Sequence, residues 1–451
     1  MNTITITKGV DLPLEGAPRQ EIREGNRIAH VALVGDDFID LKPSMLVREG
    51  DRVQLGQPVF TDKKNPGFSF TAPGCGVVQS IHRGAKRKFE SLVIELDGED
   101  AVSFSHLTEK QPAGMSPEEI RQALFDSGLW TAFRTRPYGK IPACTATPSS
   151  VFVNSMDSQP LGVDPAVVVS GHEEEFRLGL EVLVAMLGVP VHICSSEKTS
   201  AAVTETELIS CWQFSGPHPA GLPSTHIHYI DPVHEGKEVW LLDYHDVISL
   251  GHLFLKGEIR TEIIVALGGE NFSNPSLVRT FQGACLQELC MDELVDKQGQ
   301  RLLSGSVLDG RPDSVYTGYL GRYHRQVSVV KEGSGRSLFG WMAPGTKRFS
   351  VTRLFASAFS RQAKMLPFIT AVWGGDRAIY PLDVYDRVMP LDIMALPLLK
   401  SLAIRDTEKS AALGCLELVE EDLALCSFVC PGKNEFGPML REVLRSIERG
   451  E

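Results

Sequence analysis

Residues 56–78 read GQPVFTDKKNPGFSFTAPGCGVV. The runs PVFTD and FSFTAP are β-branched and aromatic, and a turn rich in Lys, Asn, Pro and Gly separates them, which is the pattern of a hairpin. With REGDRVQLGQPVF (48–60) before it and APGCGVVQSI (72–81) after it, the stretch reads as the two halves of a small lipoyl-type β-barrel. Asp62 and Lys63 fall near the hairpin between them. Either Lys63 or Lys64 is a swinging arm bearing lipoate or biotin, as in a free-standing carrier enzyme, or only the barrel is kept and both lysines are solvated turn residues.

Outward from the hairpin, IAHVALVG and SLVIEL extend the β-rich region over 1–104. The register changes near Pro112. Ser116, Pro117 and Glu119 form a capping box with proline at the first helical position, and predict a helix over EEIRQALFDSGLW. Further on, AVVVS (166–170) reads as a buried strand, and Ser170 with Glu173 as a second capping box. Phe176, Leu180, Leu183, Val184 and Leu187 share one helical face, and PVHIC returns as a strand. Strand, helix and strand make a βαβ unit and a parallel sheet over 105–255. A third, β-rich region follows over 256–345, and helical signals dominate 346–451, including SVTRLFASAFSRQAKML, LPLLKSLAIRD and GPMLREVLRSIERG. The fold class is a multidomain α+β protein.

The 451 residues give ample core for several domains. A net charge of −12 argues against nucleic acid, whose phosphates demand a basic face. No apolar run approaches the length of about 18 residues that a membrane-spanning helix needs. Nine scattered cysteines fit a reducing compartment.

Three constellations invite chemistry. SGLWTAFRTRPYGKIP (127–142) gathers Trp130, Phe133, Arg134, Arg136, Tyr138 and Lys140. Aromatic faces beside cations suit a planar, oxygen-bearing ligand; the alternative is a surface loop making inter-domain ion pairs. His218, His226, His228 and His234 cluster without acidic or thiolate ligands at a recognised spacing, and with Pro and Gly punctuating the stretch they read as a loop of structural histidines rather than a metal site. Cys426-x-x-x-Cys430-Pro431 resembles the end of a ferredoxin-type run, but Glu420 and Leu423 stand where its first two cysteines would be.

Together, KGVDLPLEGAP, DKKNPG, RGAKR, SGLWTAFRTRP, GPHPAGL, YLGRYHRQVSV, MPLD and EEDLALCSFVCPGK make the chain resemble, over its whole length, the A-subunit family of the bacterial Na⁺-translocating NADH:quinone oxidoreductase. That family is similar to the C-subunit of the Rnf complex and to the flavin subunit of respiratory complex I. The resemblance implies a barrel-sandwich domain, a Rossmann-like domain, a soluble-ligand-binding β-grasp (SLBB) domain and a C-terminal helical domain, in the order read above.

It also implies a function. The complex oxidises NADH, reduces ubiquinone and exports Na⁺, and this chain would be a peripheral subunit on the cytoplasmic face of the bacterial inner membrane, docked chiefly on a membrane-embedded partner. The flavin loop of the relatives is rich in glycine; here the aligned Trp130 and Thr131 fill that space, so FMN, FAD, NADH and iron–sulfur centres are expected in other subunits. No lipoyl or biotinyl group is implied on Lys63 or Lys64. Matched by motif, two segments would associate with quinone. Residues 34–41 (VGDDFIDL) contribute Val34, Gly35, Asp36, Asp37 and Phe38, and residues 133–140 (FRTRPYGK) contribute Phe133, Arg134, Arg136, Tyr138 and Lys140. Arg or Lys would stabilise charge on the ring oxygens, Tyr138 would donate a hydrogen bond, and Asp36 and Asp37 would relay protons. The rival expectation is an assembly subunit with no redox contact.

Overall fold

The computed structural model describes residues 2–196, 203–333, 344–359, 365–372 and 374–451. The hairpin of the opening stretch is present: Pro58–Asp62 pairs antiparallel with Ser69–Thr71, and Pro43–Met45 completes a three-stranded sheet. Facing it lies a second sheet in the order His30–Val34, Phe89–Leu96, Gly76–Arg83, Arg52–Val53. Buried side chains of the two sheets, including Val59, Phe60, Phe70, Val78 and Leu92, close the barrel-sandwich core.

The α/β region is a six-stranded sheet. Asn2–Thr5, Ile209–Ser215, Val191–Ser195, Val151–Ser155 and Val239–Asp243 run parallel, and Arg134–Arg136 adds an antiparallel edge. The first strand of the chain thus leaves the barrel and pairs with a strand more than 200 residues later. The strand Arg19–Glu24 does the same in the β-grasp sheet, whose order is Arg311–Pro312, Gln300–Ser304, Gln326–Lys331, Glu262–Gly268, Ser276–Phe281, Arg19–Glu24. One continuous apolar core runs through barrel, α/β and β-grasp regions. The C-terminal helices, chiefly Ala395–Ala403, Ala424–Val429 and Phe436–Arg449, enclose a core of their own around Tyr385, Leu398, Leu423 and Phe436.

The first capping box is intact. Ser116 Oγ accepts from Glu119 N at 3.2 Å, and Glu119 Oε2 accepts from Ser116 N at 2.8 Å. The helix Pro117–Ser127 stops at Gly128, whose φ of +76° suits glycine and where a Cβ would strike the Thr71 side chain at 2.4 Å.

Three expectations are corrected. The run AVVVS is a helical turn, Pro165–Val169, because Asp164 caps it through Ala166 N at 3.1 Å and Pro165 pre-sets the first helical φ; this signal outweighs the β-branched side chains. The strand that opens the βαβ unit is Val151–Ser155. Ser170 does not begin the next helix: its hydroxyl donates back to Val167 O, and Glu173–Leu187 starts after His172. Finally, the helix expected over 350–366 is, among the described residues, a single 3₁₀ turn, Ala356–Phe359, and residues 360–364 lie outside them.

Candidate functional site

The strand His30–Val34 delivers the segment 34–41 to the rim of the barrel. Val34 is fully buried in the barrel core. The 3₁₀ turn Gly35–Asp37 then reverses the chain, and it needs glycine at its start, since a Cβ on Gly35 would meet Phe89 O at 2.3 Å. The two aspartates part company. Asp36 points outward and pairs with Lys88. Asp37 points into the protein, where it pairs with Arg311 and accepts from Arg322 N at 2.9 Å, locking the barrel onto the β-grasp sheet. Phe38 packs edge-on against Phe70 at 4.8 Å.

A cleft of about 540 Å³ opens beside this turn. The barrel supplies Gly35, Asp36, Phe38, Ile39, Leu41, Lys42, Lys64, Lys88 and Phe89; the helical domain supplies Glu420, Arg441 and Arg445 across from them. Asp40 sits where the walls meet. Its carboxylate is 2.9 Å from Lys140 Nζ and 2.9 Å from Arg445 Nε. Burial alone would raise the Asp40 carboxyl, but the hydrogen bond and charge of Lys140, with Arg445 and Lys64 adding, hold it below its ordinary value.

The segment 133–140 is not a surface loop. Arg134–Arg136 is the edge strand of the α/β sheet, and Phe133 and Arg136 are both fully buried. Phe133 packs with Trp130 and Trp240 at 5.2 and 5.3 Å. The Arg134 guanidinium lies 4.7 Å above the Tyr323 ring. Arg136 Nε donates to Ser224 Oγ at 3.1 Å, and its Nη2 is 3.5 Å from Glu421 Oε1. Ser224 in turn donates to Asp422 Oδ2 at 2.7 Å. Burial lifts the Asp422 carboxyl to about 7 despite Arg136 beside it. Tyr138 takes a left-handed φ of 77°, presenting its carbonyl to Arg441 Nη1 at 2.6 Å; burial raises its phenol.

Of the ten residues read from sequence, the fold brings Gly35, Asp36 and Phe38 to the cleft and Lys140 to its edge through Asp40. Val34, Asp37, Phe133, Arg134 and Arg136 are committed elsewhere, and the Tyr138 ring packs on the core of the helical domain. The sequence reading missed Lys42, Lys88, Phe89, Arg441 and Arg445. The last two are spaced one helical turn apart on Phe436–Arg449, a signal visible in the sequence but without an address.

The other constellations resolve into structure. His218 Nδ1 meets Ser158 Oγ at 3.1 Å, and His226 Nε2 donates to Ala220 O at 3.0 Å. The stretch is not all loop: His226 and His228 lie on the helix Pro223–Ile230, which Pro223 opens at its first helical position. His228 accepts from Asp392 N and meets Glu417 at 2.9 Å, joining the α/β and helical domains. Cys426 and Cys430 are buried in the helical core, where Tyr385 Oη donates to Cys430 Sγ at 3.2 Å. Glu420 forms a two-point bond to Arg441, at 2.6 and 2.7 Å, and Leu423 is fully buried.

Three family models match the chain: the NqrA N-terminal barrel-sandwich hybrid domain over 4–97, the NqrA second alpha/beta domain over 115–259, and the NQRA C-terminal domain over 264–313. The Na(+)-translocating NADH-quinone reductase A-subunit of Neisseria gonorrhoeae (strain NCCP11945) is 48% identical over 446 residues, 99% of each chain. The chain belongs to the A-subunit family of the Na(+)-translocating NADH-quinone reductase. The namesake from Actinobacillus pleuropneumoniae serotype 5b (strain L20) is 49% identical over 449 residues, again 99% of each chain. That from Pasteurella multocida (strain Pm70) is 49% identical over 446 residues, with the same coverage.

Within this family fold, the stretch 128–131 is filled by side chains. Trp130 is fully buried, donates from Nε1 to Pro142 O at 3.0 Å, and stands edge-on to Trp240 at 5.3 Å. Thr131 is also buried, and its hydroxyl donates to Gly128 O.

Proposed function

We propose that the chain is a peripheral subunit of the redox-driven Na⁺ pump on the cytoplasmic face of the bacterial inner membrane, and that its cleft holds the quinone headgroup. One observation carries this reading: segments 34–41 and 133–140, a hundred residues apart, meet at the Asp40–Lys140 contact on the wall of a cleft. The cleft volume lies in the range of small-molecule sites, about 300–1,000 Å³. Phe38, Ile39, Leu41 and Phe89 offer apolar surface for a ring. Among the described residues Lys42 and Lys64 form no ion pair, so two ammonium groups are free to donate to ring oxygens. Ubiquinone would take up electrons there, and the chain's contribution is positioning and charge: lysines stabilise negative charge on oxygen, and Asp36 stands at the mouth where protons arrive from water.

Flavins, NADH and iron–sulfur centres belong, on this reading, to other subunits. The buried Trp130 and Thr131 leave no backbone cradle for a phosphate, and Cys426 and Cys430 sit in an apolar core beside Glu420 and Leu423. Membrane-embedded partner subunits supply the anchorage, since no helix among the described residues is long and apolar enough to cross a membrane.

The second reading, an assembly subunit without quinone contact, is favoured by one fact. Arg136 and Lys140, the cations expected at the ligand, are spent on pairs between domains. Calorimetric titration of the full chain with a short-tailed ubiquinone decides between them. Loss of a charge-assisted hydrogen bond costs about 1.5–3 kcal/mol, so Lys42→Gln and Lys64→Gln should each weaken binding roughly ten- to a hundredfold. Equal affinity in wild type and both variants removes the quinone from this cleft.

A further inference from the structure

The chain carries a net charge of −12, yet the mouth of the cleft has the opposite sign. Three carboxylates line it against five cations. Each carboxylate is already answered: Asp36 by Lys88, Asp40 by Lys140 and Arg445, Glu420 by Arg441. Lys42 and Lys64 remain in excess. Next to these lining residues in the chain, Lys63 precedes Lys64 in its turn, and Lys86 and Arg87 precede Lys88 in theirs. All three are exposed, and none forms an ion pair among the described residues.

The turns are built to hold these charges together. Lys63 N donates to Lys42 O at 3.0 Å. The neighbouring carboxylate, Asp62, accepts from the backbone N–H groups of Lys42 and Lys64, each at 3.0 Å, so it organises the turn rather than pairing with an ammonium. Lys86 and Arg87 take left-handed φ values of 54° and 61° in the tight turn between Gly76–Arg83 and Phe89–Leu96. Like charges gathered at a backbone cost call for an external counter-charge.

We propose that these two turns dock the chain on an anionic bilayer through lipid phosphates, with the cleft mouth facing the headgroups. The inference rests on the quinone reading of the cleft: an isoprenoid quinone resides in the bilayer, and its ring must reach the cleft from there. Residue type selects lipid over protein as the occupant. Protein interfaces deplete lysine and anchor on buried aromatics and arginine. Here the turns show solvated lysines at a rim, the pattern that anionic headgroups attract at about fivefold in partitioning per cation.

The test is flotation of the full chain with vesicles of phosphatidylcholine alone and with about one-third phosphatidylglycerol. Binding is expected to the second only, to fall in half-molar salt, and to weaken by about a hundredfold or more in the triple variant Lys63→Glu, Lys86→Glu, Arg87→Glu. A charge-matched triple on other exposed lysines, Lys8→Glu, Lys297→Glu and Lys400→Glu, should bind as wild type does. None of the three reversed rim residues lines the cleft, so affinity for a short-tailed ubiquinone in solution should be unchanged. Equal flotation of both triples, or no preference of wild type for anionic vesicles, overturns the docking. Intact vesicle binding with no soluble-quinone binding would instead fault the reading of the cleft.

Discussion

Lys140 Nζ and Asp40 Oδ2 lie 2.9 Å apart, joining the tail of the α/β edge strand to the barrel turn that walls the cleft. Arg445 reaches the same carboxylate from the last helix, so three domains converge on one side chain. The pair is partly exposed, at 24% for Lys140 and 14% for Asp40, so its worth is modest. In a double-mutant cycle of Lys140→Ala and Asp40→Ala, the coupling should be about 1 kcal/mol in denaturant unfolding. Strict additivity would mean that the contact does not join the segments.

Arg136 is a structural keystone. Truncating one member of a buried, hydrogen-bonded charge cluster typically costs about 3–5 kcal/mol, because the partner is left unpaired. Arg136→Ala should therefore destabilise the contact with the 3₁₀ turn Glu420–Leu423 by about that amount. Arg136→Lys should recover little, since an ammonium cannot reach both Ser224 and the Glu421 carboxylate with a fork. Thermal unfolding of the two variants beside wild type would show this; a wild-type midpoint for Arg136→Ala would refute it.

Trp130 is fully buried among the rings of Phe125, Phe133 and Trp240. Its replacement by alanine should cost about 3–5 kcal/mol, the range for opening a cavity of aromatic size. The measurement is the shift in denaturant midpoint, and a change under about 1 kcal/mol would show that the indole is not packing the loop.

Asp157 makes stability depend on pH. Burial raises its carboxyl from 3.8 to about 7. The folded chain therefore holds a proton there that the unfolded chain releases, so this site's contribution is full below 3.8 and is lost as pH rises through about 7. Asp157→Asn keeps the acceptor for Gln159 N and removes the titration. Its stability advantage over wild type should grow from pH 4 to pH 8. The buried imidazoles of His218 and His226, lowered by burial to about 4 and about 3, act in the opposite sense on the acid side. They are common to both proteins and cancel in the difference. Parallel pH profiles for the two proteins would show that the fold does not raise the Asp157 carboxyl.

Much of the fold was legible because its signals are local. The hairpin around Lys63 and Lys64, the Ser116–Glu119 box, the helical face from Phe176 to Leu187 and the helix Phe436–Arg449 each follow from spacing within a few turns of chain. The misreading of AVVVS was local too: a β-branched run competed with an Asp-Pro helix start, and the cap won. The excursions of Asn2–Thr5 and Arg19–Glu24 into distant sheets were not legible, because a strand's partner is chosen by which sheet edge is open once the rest has folded.

The site divides along the same line. The sequence by itself determined which residue types are present: aromatic and cationic side chains in 133–140, paired aspartates in 34–41, and no glycines at 130 and 131. Only the tertiary structure decided their duties. Arg136 is buried because the turn Glu420–Leu423, nearly three hundred residues later, packs over the sheet edge and brings the carboxylates that pair with it. Asp36 meets water while Asp37 meets Arg311, although they are neighbours, because one 3₁₀ turn aims them at opposite sides of the barrel rim. A charged side chain's role is set by the partner that desolvates or neutralises it, and that partner arrives through folding rather than through adjacency.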